Sequence, residues 1–256
     1  MDGNRKFISP QELYRRLGTA SAPLVIDVRL NDAFDADDSM LVGSMRRLPQ
    51  EIETWRETLP KSRAVVYCAD GQGVGREVAA ALAAAGIEAV YLEGGIAAWR
   101  AQALPTRRRR GARPSRWVTR ERPKIDRIAC PWLIRRFIDP EAEFLYVPAA
   151  AVEETARRRD ATPYDVAGAD FGHVGARCSF DAFLSLYAIA DPALDRLALI
   201  VRGADTGRPD LAPQSPGLLA ISRGLSENFP DDHAMLAQGM AIYDALYAWC
   251  RSEEMR

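Results

Sequence analysis

Strand-length apolar runs alternate with helix-forming segments along the amino-terminal part of the chain, and few folds accept that rhythm. "PLVIDVR", "RAVVYC" and "IEAVYLEGG" are nearly continuous in Val, Ile, Leu and Tyr. "PQEIETWRETLP" is predicted to form a helix from about Gln50 to Leu59, "VGREVAAALAAAG" a helix closed by Gly86, and "IAAWRAQ" a short last one. Ahead of them, "FISPQELYRRL" reads as a short strand and a helix, with Ser9 as N-cap and Pro10 in the first turn. Strands without polar alternation are buried on both faces. The expected fold is therefore α/β, with a parallel sheet covered by helices on each side.

A chain of 256 residues has room for two domains of ordinary size. The formal net charge of -1 names no partner by itself. With no run of about 18 apolar residues, no membrane span is expected. The start "MDGNRKFISPQEL" lacks the apolar core of a secretory signal. Cys68, Cys130, Cys178 and Cys250 are widely scattered, which suits reduced thiols in the cytoplasm better than a disulfide framework.

Charge is concentrated where the two halves meet. Residues 105–127 read "PTRRRRGARPSRWVTRERPKIDR", with only Glu121 and Asp126 against the many arginines. Pro and Gly interleave its first part, so residues 105–116 are expected to form a basic linker between a domain at 1–104 and another at 117–256. No aromatic interleaving or DNA-reading motif accompanies the arginines, and nucleic acid is not an expected partner.

Cys68 ends the apolar run "RAVVYC", and the glycine-rich turn "ADGQG" leads at once into a helix. Ligands of parallel sheets sit at the carboxyl ends of strands, beside helix N-termini. The unpaired amides and positive dipole end of the next helix face that loop. Gly71 and Gly73 let the backbone curl until several amides face one point. A thiol placed there is expected to be reactive.

On "VIDVR" (Val25 to Arg29), "CADGQG" (Cys68 to Gly73) and "YLEGGIAAW" (Tyr91 to Trp99), in that order, residues 5–104 resemble the rhodanese family of sulfurtransferases. The resemblance implies that Cys68 is the nucleophile and takes a sulfane sulfur as a persulfide. It also implies that the amides of Ala69, Asp70, Gly71, Gln72 and Gly73 cradle that sulfur. A small sulfur donor and a thiol acceptor are the implied partners, and sulfur transfer needs no cofactor. The loop has the six-residue length of sulfurtransferases rather than the longer one of related phosphatases. It departs from thiosulfate-using members in carrying Asp70 where a basic residue is usual. The nearest arginine, Arg76, lies already on the helix, so thiosulfate is expected to be a poor donor.

Beyond Trp117 the pattern becomes mostly helical, an α+β reading. "DRIACPWLIRRFI" carries a stripe of Ile125, Ile128, Trp132 and Phe137. "AEFLYVP" reads as a strand, "AVEETARRRD" as a polar helix, and "PYDVAGADFGHVGARC" as a strand and turn. Four helices follow, the last starting at the acidic cap before His233. The two histidines of the chain, His173 and His233, both fall here. Cys178 and Asp181 lie near the first in sequence; Glu227, Asp231 and Asp232 lie near the second. If the fold joins the two imidazoles, Glu227, Asp231, Asp232 and Asp205 would complete a site for a divalent metal such as zinc, manganese or iron.

The blocks "WVTRERPKIDRIACPWLIRRFIDPEAEFLYVP", "IVRGADT", "GLLAISRGL" and "DDHAML" with "YDALYAWC" resemble the chromate-resistance domain of ChrB-type proteins over about Trp117 to Arg251. That resemblance implies a role in bacterial chromate resistance or response, with chromate as a candidate ligand. Chromate is a tetrahedral dianion, and planar guanidinium groups suit oxyanions. Arg127, Arg135, Arg202 and Arg223 lie within the matching blocks. Two functions follow. One is sulfur handling through a Cys68 persulfide in the service of chromate or oxidative-stress resistance. The other is a non-catalytic sensor of chromate or metal, with a rhodanese-like module that binds a partner.

Overall fold

A computed structural model describes residues 6–59, 63–110 and 114–252, which divide into two compact units meeting between Arg109 and Arg110. The first contains β1 (Phe7–Ile8), α1 (Pro10–Arg16), β2 (Leu24–Asp27), α2 (Asn31–Asp35), β3 (Ser39–Leu41), β4 (Ser44–Arg46) and α3 (Ile52–Trp55). It continues with β5 (Ala64–Tyr67), α4 (Val74–Ala84), β6 (Ala89–Leu92), α5 (Gly95–Ala101) and β7 (Thr106–Arg108). Five strands form a wholly parallel sheet in the order β1-β6-β5-β2-β4. The central strand β5 is buried along its whole length, as its unbroken apolar run requires. Ser9 caps α1 by accepting the Glu12 amide, with Pro10 at the first turn. The α/β expectation holds for this unit.

Two local expectations fail. The helix foreseen from about Gln50 to Leu59 is broken into a 3-10 turn, the single turn α3 and a second 3-10 turn. Trp55 Nε1 donates to the Leu48 carbonyl at 2.8 Å and Thr58 Oγ1 to the Trp55 carbonyl, so side chains take roles that helix geometry would leave to the backbone. The start of the foreseen linker is not a tether either. Residues 106–108 form β7, which pairs antiparallel with β3. Arg107 is buried there and donates through Nη2 to the Ser44 carbonyl at 2.8 Å. Residues 111–113 of that foreseen linker lie outside the described residues.

The second unit begins with β8 (Arg116–Arg120) and α6 (Asp126–Leu133), which runs into a π-helical turn over Ile134–Ile138. Then come β9 (Glu143–Val147), α7 (Val152–Arg159) and β10 (Thr162–Pro163). The helices α8 (Ser179–Leu186), α9 (Pro192–Asp205), α10 (Ser215–Asn228) and α11 (Asp232–Ser252) complete it. A small parallel sheet, β10-β8-β9, stands beside a helical layer in which α11 packs on α6 and α9. Trp132, fully buried on α6, stacks with Phe180 of α8 and packs against Tyr243 and Tyr247 of α11, which fixes α6 at the centre of this core. The helix-rich expectation holds.

Candidate functional site

Each unit builds one site from residues at element ends. In the first, Cys68 follows β5 directly, and the loop 68–73 leads into α4. Gly71 (φ +70°) and Gly95 (φ +57°) let this loop lie directly on the start of α5. A Cβ on Gly71 would fall 2.4 Å from the Gly94 amide nitrogen, and one on Gly95 would fall 2.4 Å from the Cys68 carbonyl oxygen. The two glycines of "YLEGG" therefore form the floor of the cysteine loop. Ile96 N and Ala97 N bond the carbonyls of Cys68 and Ala69, each at 3.0 Å, and so hold those carbonyls outward.

The loop lines one side of a pocket of about 280 Å³, and Arg29, Leu30 and Ala33 line the other. The Cys68 side chain is 3% exposed but reaches this pocket. Among the described residues, the amides of Asp70, Gly71 and Gly73 donate to no group of the chain. Two acceptors also approach the sulfur. Sγ donates to the Gln72 carbonyl at 3.2 Å and lies 3.7 Å from Asp70 Oδ1, which accepts the Gln72 amide. Arg76 is turned away from the sulfur, with Nε on the Gly71 carbonyl and its guanidinium over the Tyr91 ring. Across the pocket, Arg29 is fully buried, ion-paired with Asp27 at 2.7 Å and Asp37 at 2.8 Å. Tyr67 Oη donates to Asp27 as well. Asp27 and Arg29 of "VIDVR" thus fix the wall facing the cysteine.

In the second unit, His173 Nε2 lies 3.2 Å from Asp205 Oδ2, 3.3 Å from Asp165 Oδ1 and 3.4 Å from Asp126 Oδ2. Asp126 opens α6, Asp205 closes α9, and Asp165 follows β10. Ser179, at the start of α8, gives its amide to Asp126 and its hydroxyl to Asp165. Arg120 and Arg127 pair with Asp165 Oδ2 at 3.0 and 3.2 Å. Unusual backbone sets two of these acids. Ile125, just before Asp126, has φ +40°, and Asp165 has φ +50°. The Asp126 hydrogen bond, outweighing partial burial, pushes His173 up to about 9, with the charges of Asp205 and Asp165 adding. Burial first, then the charges of Asp126 and Asp165, pushes Asp205 up to about 7.

The expected pair of histidines does not form one ligand set among the described residues. His173 and Asp205 meet, and Asp126 joins them. His233 instead packs edge-on against Tyr146, and Asp232 accepts the Arg122 amide. Glu227 stands exposed on α10, outside the group. The physical reason is placement. His233 enters at the start of α11, whereas the acids lie at the ends of α6 and α9 and beyond β10. Asp126 and Asp165 were not foreseen, although an acid inside the apolar stripe of "KIDRIACPW" is a signal, because such an acid is buried and needs a partner. The four arginines suggested for an oxyanion have separate roles. Arg127 serves Asp165, and Arg202 holds Asp181 through Nε at 3.0 Å. Arg135 lies over Phe144, and Arg223 is exposed on α10.

Comparison with known proteins gives these units their relatives. Residues 9–102 match the model of the rhodanese-like domain, and residues 117–250 match that of the ChrB C-terminal domain. Protein ChrB of Cupriavidus metallidurans is 38% identical over 143 residues, covering 55% of this chain. The chain spans 42% of the length of that relative. Among solved structures, a rhodanese-related protein from Thermoplasma volcanium is 24% identical over 40% of this chain and 96% of its own, with a TM-score of 0.35. A rhodanese-like domain protein from Staphylococcus aureus is 26% identical over 37% of this chain and 90% of its own, with a TM-score of 0.33. No helix among the described residues is long and apolar enough to cross a membrane. With more than half its length matched, the chain belongs to the ChrB C-terminal domain family and carries a rhodanese-like domain ahead of that part.

Proposed function

We propose that this protein serves chromate resistance and that Cys68 carries sulfane sulfur for it as a persulfide. The observation that carries this reading is the position of Sγ at the pocket of about 280 Å³, inside a loop in which the amides of Asp70, Gly71 and Gly73 donate to no group among the described residues. The Cys68 thiolate would attack the outer sulfur of a donor persulfide, R–S–SH. The S–S bond of the donor breaks, R–S⁻ leaves and takes up a proton, and Cys68–S–SH remains. An acceptor thiolate then removes the outer sulfur and returns Cys68 as a thiolate. The loop amides stabilise the terminal sulfur through N–H dipoles. Asp70 disfavours a dianionic donor, so a persulfide or thiol-bound sulfur fits better than thiosulfate. Chromate is reduced by thiols and persulfides, which gives the sulfur chemistry a use beside a ChrB-type domain.

The test is a purified full chain incubated with a persulfide donor. Intact mass should rise by one sulfur atom, cyanide should remove it as thiocyanate, and Cys68→Ser should abolish both. A wild-type chain that gains no sulfur would overturn the reading and favour the non-catalytic sensor, in which the pocket beside Asp70 binds a partner group.

A further inference from the structure

The cluster around His173 has no part in the sulfur chemistry, yet its geometry is unlike that of a surface ion pair. One imidazole nitrogen is approached by oxygens from three carboxylates at 3.2 to 3.4 Å. A single Nε2–H donates well to one of them only. The same spacings are those of neighbouring ligands around one cation. With bonds of about 2.0–2.2 Å, adjacent donors of a tetrahedral or octahedral sphere lie about 3–3.5 Å apart. One donor atom each from Asp126, His173 and Asp205 falls within 4.8 Å of the other two.

A second observation is independent of that spacing. Asp126 is 1% exposed, and its Oδ1 has no hydrogen-bond partner among the described residues, although Oδ2 accepts the Ser179 amide. A buried carboxylate oxygen without a donor is costly, and a bound cation is one way to satisfy it. Asp165, in contrast, already pairs with Arg120 and Arg127 through Oδ2, so it is the acid of the group with the least need of a bound cation. His173 is 42% exposed, so the group opens to solvent on the imidazole side.

We propose that Asp126, His173 and Asp205 bind a divalent first-row transition-metal ion. Two carboxylates and one imidazole are a borderline-to-hard donor set, suited to manganese(II) or iron(II) and accessible to zinc(II). Cys130 and Cys178 stand outside the three-residue group, so a soft, thiol-bound ion is not the fitting occupant. Three protein ligands leave further positions of the sphere to water or to an exogenous oxygen ligand.

The experiment uses the full chain, stripped with a chelator and titrated with manganese(II) at neutral pH. Electron paramagnetic resonance reads the free ion. The expected result is one ion bound per chain, displaced by zinc(II), with affinity lowered at least tenfold in His173→Ala and in Asp205→Asn. Asp126→Asn should lose binding as well. The two half-exposed or helix-end variants carry the test if Asp126→Asn does not fold. Cys68→Ser should bind as the wild type does, so the outcome is separate from that of the sulfur reading. No saturable binding of manganese(II) or zinc(II) by the wild type, or unchanged affinity in folded His173→Ala, would overturn the site.

Discussion

The Cys68 thiol donates to the carbonyl oxygen of Gln72 at 3.2 Å, and Asp70 Oδ1 stands 3.7 Å from the same sulfur. A loop of amides that would welcome negative charge is thus tempered by two acceptors. The charge of Asp70 is the separable part, because its side-chain oxygen also caps the Gln72 amide at 2.9 Å. Asp70→Asn keeps an oxygen for that cap and removes the charge. Its kcat/KM with thiosulfate should rise about tenfold, the equivalent of about 1.4 kcal/mol at the barrier. The gain should shrink with added salt. Thiocyanate formation measures it, and an unchanged rate would show that Asp70 does not limit anionic donors.

Cys68 should also be the first thiol to react with limiting iodoacetamide. It reaches the pocket, whereas Cys130, Cys178 and Cys250 are at 0% exposure. Burial, followed by the charge of Asp126, pushes the thiols of Cys130 and Cys178 up, which leaves them little thiolate at neutral pH. Peptide mass mapping after a short exposure gives the order. Faster labelling of Cys130 or Cys178 in the native protein would contradict it.

The glycine floor of the loop gives a sharper test of position. Gly95→Ala places a Cβ 2.4 Å from the Cys68 carbonyl and 2.6 Å from the Gly71 amide nitrogen, at a φ of +57°. Both neighbours are backbone and cannot step aside. The variant should lose about 1–3 kcal/mol of stability and most of its sulfur loading. Gly86→Ala, at φ +83° with open space around it, should lose about 1 kcal/mol and keep its loading. Denaturant melts with intact-mass loading would separate the two.

How far the sequence could be read depended on whether a signal was local. The strand β5, the helix α4 and the cysteine between them were legible because apolar runs, Gly71 and Gly73 all lie within one short stretch. The Ser9 cap was legible for the same reason. Asp126, Asp165 and Asp205 lie far apart in the chain, and only the packing of α6, α9 and the turn after β10 joins them to His173. Closeness in sequence to His233 points to Glu227 and Asp232, which belong elsewhere, whereas Asp205, remote from both histidines in the chain, is the acid that meets His173. The arginine run misled for a different reason. Composition alone reads "RRRR" as solvated, while β-pairing with β3 and the Ser44 carbonyl give Arg107 a buried place that no local pattern announces.

Asp37 ties this first unit to pH. Burial tends to raise its carboxyl, but the Ser39 amide, Arg100 and the Ser39 hydroxyl outweigh that and hold it below its ordinary value of 3.8. A carboxyl lowered on folding contributes stability that is present above the unfolded value and is lost as pH falls through the folded one. Asp37→Asn should therefore destabilise the protein at neutral pH by about 1–3 kcal/mol, the scale of charged hydrogen bonds. The difference from wild type should close as pH falls below about 4. Hydrogen exchange of the β3 amides across pH reads this locally, and a difference that persists in acid would rule out the ionised carboxylate as its source.

Trypsin tests how the arginine run is held. A protease must draw its substrate into an extended segment and insert the arginine side chain into its own pocket. Arg107 is 1% exposed, its Nη2 is held by the Ser44 carbonyl, and the backbone of Thr106–Arg108 is paired with Ser39–Leu41. Both requirements fail until the β3–β7 pair opens. Arg108 has a side chain 54% exposed, yet its backbone lies in the same pair. Brief digestion of the native chain should give no fragment ending at Arg107 and few ending at Arg108, as read by intact mass. Arg107→Ala removes the buried guanidinium and its bond to Ser44 and should loosen the pair, so cleavage after Arg108 should become faster. Prompt cleavage after Arg107 in the wild type would mean that β7 is not held as described, and the run would then return to being a tether.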